Sequence, residues 1–266
     1  MTLSLLELPG LWLARYLSKS LPGNVHPATC RPEVLAATVK KGDVLLVEGS
    51  SRFATAVKYL TQSTWSHVAL CITDTTGTRS LDGETPALAE ADIIEGVRTV
   101  PLNMYSNLHT RICRPVGLTQ DEIDSVVNYV ISRLGNKYDL KNVIDLARYL
   151  IQTPPVPSRW RRRMLALGSG DPTLAICSSL IAQAFQSIGY PILPEIIVEK
   201  SEDPACKECY DEILHIRHHS LFAPRDFDLS PYFHIVKPTI QHGFDPHQLK
   251  WRNDQERDTD SENAPG

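Results

Sequence analysis

Apolar residues along this chain switch between two spacings, and the switches mark out its elements. KKGDVLLVEG, residues 40–49, is a polar turn followed by a short apolar run, which predicts a strand ending at Gly49. In the next segment, SSRFATAVKYLTQST, Phe53, Ala56, Val57 and Leu60 fall at helical spacing, with Ser50 or Ser51 available as N-cap. HVALCITD, from His67, returns to a buried strand. DIIEGVRTVPL reads as strand, turn and strand around Gly96, and HTRICRPV as a further strand closed by Pro115. LTQDEIDSVVNYVISRLG then sets Thr119 three residues before Glu122, a capping-box pattern, ahead of an amphipathic helix that stops at Gly135. Helical spacing resumes in NKYDLKNVIDLARYLI until PPVPSRWRRRMLALGSGDP interrupts it as a loop insertion. Beyond the turn at Asp171 and Pro172, Cys177 opens a segment with Leu180, Ile181, Ala184, Phe185 and Ile188 at helical spacing, ended by Gly189.

A run of neighbouring strands flanked by amphipathic helices needs one core, and 266 residues at 42% hydrophobic content can bury one of that size. The expected organisation is a helical extension over 1–39, a single domain over 40–240 and a charged, unfolded tail over 241–266. Charge excludes one class of partner: at a net −4 and a pI near 6.1 there is no global basic surface for neutralising nucleic-acid phosphates. Six cysteines without the dense spacing of a secreted scaffold point to reduced thiols and a cytoplasmic setting. The N-terminal stretch has no basic region before its apolar residues and carries Glu7 and Pro9, against a secretory signal. Leu11, Leu13, Ala14, Leu17 and Leu21 fit one side of a helix, which reads first as a helix docked on the domain and second as an interfacial membrane anchor. Arg159, Arg161, Arg162 and Arg163 beside Trp160 are a second candidate for peripheral contact with anionic lipid, weighed against an ordinary solvated face. No run reaches the roughly 20 apolar residues needed to span a bilayer.

Three elements carry the candidate chemistry. His67 stands at the mouth of a buried strand, where an imidazole serves equally as a satisfied core residue, a metal ligand or a general base. Cys177 stands at a helix start, where unpaired N–H groups and the positive dipole end favour a thiolate; a small buried thiol there would look the same. Glu95 follows two isoleucines, so it is expected to find a buried partner and to orient the imidazole, whereas Asp82 and Glu84 sit in the turn-rich SLDGETP segment. Cys71 and Cys113 alternate with aliphatic residues and read as inert core thiols. Cys206, Cys209, His215, His218 and His219 are candidate zinc ligands, but their spacing is shorter than common finger patterns, and a surface helix carrying histidines is the favoured account.

In order along the chain, GDVLLVEG, SHVALCI, IIEGV, the pair Tyr138–Asp139 and ICSSLIAQAF resemble the circularly permuted papain-like cysteine hydrolases of the NlpC type, in particular the YiiX-like branch. In unpermuted members the cysteine helix precedes the histidine strand; here histidine comes first. PRDFDLSPYFHIVKP, residues 224–238, is similar to the closing segment of that branch. The resemblance implies an α+β, papain-like core in which an antiparallel sheet packs against the helix that carries the cysteine. It also implies Cys177 as nucleophile, His67 as general base and then acid, Glu95 as orienting residue and Tyr138 as an auxiliary group, with the Cys177 N–H holding the oxyanion. The implied activity is hydrolysis or acyl transfer at an amide, ester or thioester bond of an acyl- or peptide-containing substrate, with no cofactor. From a different class, a catalytically silent module that holds lipid or peptide in the same groove is the alternative.

Overall fold

The computed structural model describes residues 16–20, 26–73, 87–92, 94–136, 176–200 and 210–249. Tyr138, Asp82, Glu84, Arg159 to Arg163, Cys206, Cys209, most of the N-terminal helix and the last residues lie outside this set. Among the described residues, no helix is long and apolar enough to cross a membrane.

A six-stranded antiparallel sheet carries the fold. Its strands are β1 (Val44–Val47), β2 (His67–Cys71), β3 (Ala87–Asp92), β4 (Gly96–Pro101), β5 (Thr110–Pro115) and β8 (Phe233–Val236), in spatial order β4-β3-β2-β1-β5-β8. All four β1 residues are buried, because β1 lies inside the sheet and both faces are covered. That double cover explains its unbroken apolar run where a half-solvated strand would alternate. On one face, Leu45, Val47, Ala69, Cys71, Leu88 and Ile112 pack with Leu35 and Val39 at helix α1 (Pro32–Thr38). On the other, Leu46, Val68, Leu70 and Ala89 pack beneath α3 (Gln120–Ile131) and α4 (Ile176–Gln186), the helix that carries Cys177.

Local chemistry sets the ends of these elements. Ser51 caps α2 (Arg52–Thr61) by accepting from the Ala54 N–H at 3.0 Å, and Thr119 with Glu122 forms the expected capping box on α3. Each such cap is worth about 1 kcal/mol. Gly42, at φ +85°, turns the chain into β1 where a Cβ would stand 2.8 Å from Ile123, so that position needs glycine on both counts. The closing segment folds as α5 (Pro224–Leu229) followed by β8, which pairs with β5. Phe227 and Phe233 from this segment enclose Phe185 of α4, with ring centroids 6.4 and 5.1 Å away. The C-terminal strand therefore fixes the cysteine helix against the sheet, and truncating fully buried Phe185 to alanine would cost about 3–5 kcal/mol.

Two expectations shift. The strand expected over DIIEG is a turn: β3 ends at Asp92, whose Oδ1 accepts the N–H groups of Ile94 and Glu95, each at 2.8 Å. An aspartate that binds the backbone two and three residues on closes a turn more cheaply than isoleucine propensity extends a strand. The other change is at the histidine-bearing segment, where a surface helix was favoured. It is a strand, β7 (Tyr210–His215), paired with β6 (Glu195–Lys200) in a separate ribbon.

Candidate active site

The end of β1, the start of β2 and the start of α4 meet at His67. As the first residue of β2, its backbone position is set by pairing with Val47 of β1. Its Nε2 lies 2.8 Å from Glu90 Oε2. Cys177 lines the same cavity and couples electrostatically to the ring, and with Nε2 taken by Glu90, Nδ1 is the nitrogen left to face the sulfur. Burial alone would push the imidazole pKa down; the charges of and hydrogen bonds to Cys177 and Glu90 outweigh it and bring the pKa to about 10. At neutral pH the ring is an imidazolium held against the Glu90 carboxylate, with Cys177 beside it.

Glu90 sits in the middle of β3, paired with Ala69 of β2 on one side and Arg98 of β4 on the other, with only 1% of its side chain exposed. A buried carboxylate is costly unless every lone pair is used. Here Oε2 receives His67 and the Tyr105 hydroxyl, and Oε1 receives Arg98 Nε at 2.9 Å. Burial pushes its pKa up, but the His67, Tyr105 and Arg98 contacts override that and hold it at about 2. Tyr105 also lies against the imidazole, ring centroids 5.9 Å apart, and burial beside the Glu90 charge raises its own pKa, so it stays a donor.

Cys177, 7% exposed, lies in the first turn of α4, where Leu180, Ile181, Ala184 and Phe185 face the core. The serines that follow anchor this turn: Ser178 Oγ donates to the Phe222 carbonyl at 2.6 Å, and Ser179 Oγ to that of His219 at 3.3 Å. Main-chain N–H groups of a first helical turn lack intrahelical partners and are available to an anion. Around Cys177, His67 and Glu90 opens a cavity of about 350 Å³, whose walls mix hydroxyls such as Ser20, Ser51 and Ser66 with apolar Met104 and Leu108. Gly49 lines it and has no space for a side chain, since a Cβ there would meet Ala54 at 2.9 Å; its N–H donates to Ser66 Oγ at 2.8 Å.

The structure thus brings together Cys177 and His67 and places Glu95 elsewhere. Glu95 lies in the turn after β3, 62% exposed, and reaches Arg98 rather than His67. Its displacement has a definite cause: with the turn at Ile94–Glu95, the buried carboxylate of this hairpin is Glu90, five residues upstream. Glu90, Arg98 and Tyr105 went unread in the sequence. The signal for the first two was a charged residue inside ALAEAD together with hairpin arithmetic, since Asp92 opposite Gly96 puts Glu90 opposite Arg98. Tyr138, the expected auxiliary tyrosine, is outside the described residues. Cys71 and Cys113 are buried core thiols as read, and burial raises the Cys113 pKa. Of the candidate zinc ligands, His215 ends β7 and is exposed, while His218 and His219 stack on one another with centroids 4.0 Å apart.

The sequence model described as "Permuted papain-like amidase enzyme, YaeF/YiiX" matches residues 38–149, a segment that includes His67, Glu90, Arg98 and Tyr105 and ends before Cys177. Among solved structures, the chain is similar to the metalloprotein yiiX from Escherichia coli O157:H7, at 14% identity and a TM-score of 0.44, covering 74% of this chain and 96% of that one. No curated protein matches it.

Proposed function

We propose that the chain is a permuted papain-like hydrolase of the YaeF/YiiX kind, a reading supported by the family model matched over residues 38–149, and that it cleaves acyl bonds through Cys177, His67 and Glu90. The observation that carries this reading is the imidazole of His67, hydrogen-bonded on one side to the buried Glu90 carboxylate and sharing one cavity with Cys177. A nucleophile, a base and a group orienting the base form the minimal apparatus for acyl transfer through a covalent intermediate.

The Cys177 sulfur attacks the substrate carbonyl carbon, forming the S–C bond and moving the carbonyl π electrons onto oxygen. The Cys177 N–H, at the helix start, stabilises that oxyanion. As the intermediate collapses, the bond to the leaving group breaks and the imidazolium of His67 gives its proton to the departing nitrogen or oxygen. The thioester left on Cys177 is then opened by water, from which neutral His67 removes a proton, or by an acceptor in its place. Glu90 stays ionised throughout, fixing the ring and stabilising its charged form, while Arg98 and Tyr105 hold Glu90.

An amide is the first bond to test, because the matching family is described as amidase; ester and thioester substrates follow the same steps. The substrate is acyl- or peptide-containing, sized to a cleft of about 350 Å³ with hydroxyl and apolar walls. The experiment is to incubate the protein with short acyl amides, esters and thioesters, quench in acid and map the adduct by mass spectrometry. An acyl group on Cys177 that is absent from Cys177→Ser supports the reading. A folded protein that turns over none of the panel and carries no adduct would move the chain to the class of binding modules.

A further inference from the structure

A second buried glutamate, Glu48, has partners of a different kind. Glu48 follows the last residue of β1, its side chain 3% exposed. Its Oε2 stands 2.8 Å from His26 Nδ1 and 3.2 Å from His109 Nδ1, and also meets the backbone N–H of His26 at 3.2 Å. Its Oε1 receives Lys58 at 3.1 Å. A carboxylate has about four lone-pair positions over two oxygens, so three nitrogens on Oε2 against one on Oε1 is a lopsided arrangement. The two imidazole nitrogens and Oε2 all lie within 4.8 Å of one another. A tetrahedral zinc with bonds of about 2.0 Å needs ligand atoms about 3.3 Å apart, close to the two spacings on Oε2.

We propose that His26, Glu48 and His109 form a site for one divalent transition-metal ion of the zinc class, bound through His26 Nδ1, His109 Nδ1 and Glu48 Oε2. The ion takes the place of the two imidazole N–H groups on Oε2, with each ring proton on Nε2. Lys58 stays on Oε1; its charge subtracts from the carboxylate's pull on any cation, so affinity rests on the imidazoles, a donor set that selects zinc, copper or nickel over magnesium or calcium. His26 is 69% exposed, which provides an entry path and leaves room for water as a fourth ligand.

The placement gives the ion a consequence. Pro27 bridges to Leu108, so His26 and His109 lie beside a backbone contact that already joins the N-terminal segment to the β4–β5 connection. Leu108, Val47 and Gly49, each adjacent to a proposed ligand or one residue removed from it, line the catalytic cavity. The loaded ion would pin one wall of the cleft and would stabilise the fold by mass action.

The test uses the full chain, saturated with zinc, dialysed and measured for metal content, alongside His26→Ala, His109→Ala, Cys177→Ser and the double variant Cys206→Ser/Cys209→Ser. Since Glu48 is buried and its replacement risks the fold, exposed His26 carries the decision. We expect about one zinc per chain, lost in both histidine variants and kept in both cysteine variants, with zinc raising Tm in the wild type and not in His26→Ala. Cobalt substitution should give a tetrahedral visible spectrum without sulfur-to-cobalt charge transfer. Failure of the wild type to retain zinc, zinc that leaves with the cysteines instead, or a charge-transfer band would each overturn the proposal. None of these readouts depends on the chain being a hydrolase.

Discussion

Glu90 and Glu48 are two solutions to one physical problem. Each is a nearly fully buried carboxylate at the same end of the sheet, and each is held at a pKa of about 2 by donors that outweigh burial. They differ in what lies beyond the histidine. Beyond Glu90 one imidazole stands next to Cys177, and Arg98 and Tyr105 fill the remaining lone pairs of the carboxylate. At Glu48 two imidazoles converge on one oxygen and, among the described residues, its hydrogen-bond partners are His26, His109 and Lys58. A buried carboxylate with a histidine is therefore not in itself a catalytic signature; the third group decides whether the pair moves a proton or holds a cation.

Activity separates the two most sharply. Cys177→Ala and His67→Ala should each lower kcat/KM by roughly 10⁴-fold or more, whereas His26→Ala should leave most of it. Steady-state kinetics on whichever acyl substrate labels Cys177 checks this, and comparable losses for His26→Ala would merge the two clusters into one site. Next comes Glu90→Gln, expected to cost roughly 10²- to 10⁴-fold through the wrong tautomer and a poorly held ring, while Glu95→Gln stays near wild type.

Titration sharpens the comparison further. The folded pKa of His67 is raised from 6.5 to about 10, so its contribution to stability is complete below pH 6.5 and is lost as pH rises through about 10. For Glu90 the shift runs from 4.5 down to about 2, so its contribution is complete above pH 4.5 and is lost as pH falls through about 2. Between pH 4.5 and 6.5 both operate in full, and Tm measured across pH should show Glu90→Gln reducing the acid-side fall. The same variant should move the alkaline limb of kcat/KM to lower pH, since the carboxylate no longer favours the imidazolium. The smallest effect is Tyr105→Phe: about 1 kcal/mol of stability and a less than tenfold loss of rate, because Glu90 keeps His67 and Arg98.

Much of this was legible from spacing. Apolar runs and capping residues located β1, β2, β5 and α2 to α4, and the ordered set of motifs pointed to the permuted papain-like family and to Cys177 and His67. What was not legible depended on one turn. The isoleucines before Glu95 have strand propensity, but Asp92 binds the backbone ahead of it and ends β3, so the carboxylate facing His67 comes from ALAEA, upstream of the strand expected at DIIEG. The Glu48 cluster was unreadable for another reason: its histidines lie 22 and 61 residues from Glu48, and only the sheet brings them together. Local patterns specify elements, whereas pairings across elements need the register.

The central claim, that His67 joins Cys177 to Glu90, is tested most directly by the rate at which iodoacetamide alkylates Cys177 between pH 5 and 9, assigned by peptide mapping. The account predicts selective labelling of Cys177 across that range, abolished in His67→Ala, slowed in Glu90→Gln and unchanged in Glu95→Gln. Labelling shared slowly among the cysteines, or a Glu95→Gln protein that loses reactivity while Glu90→Gln keeps it, would contradict it.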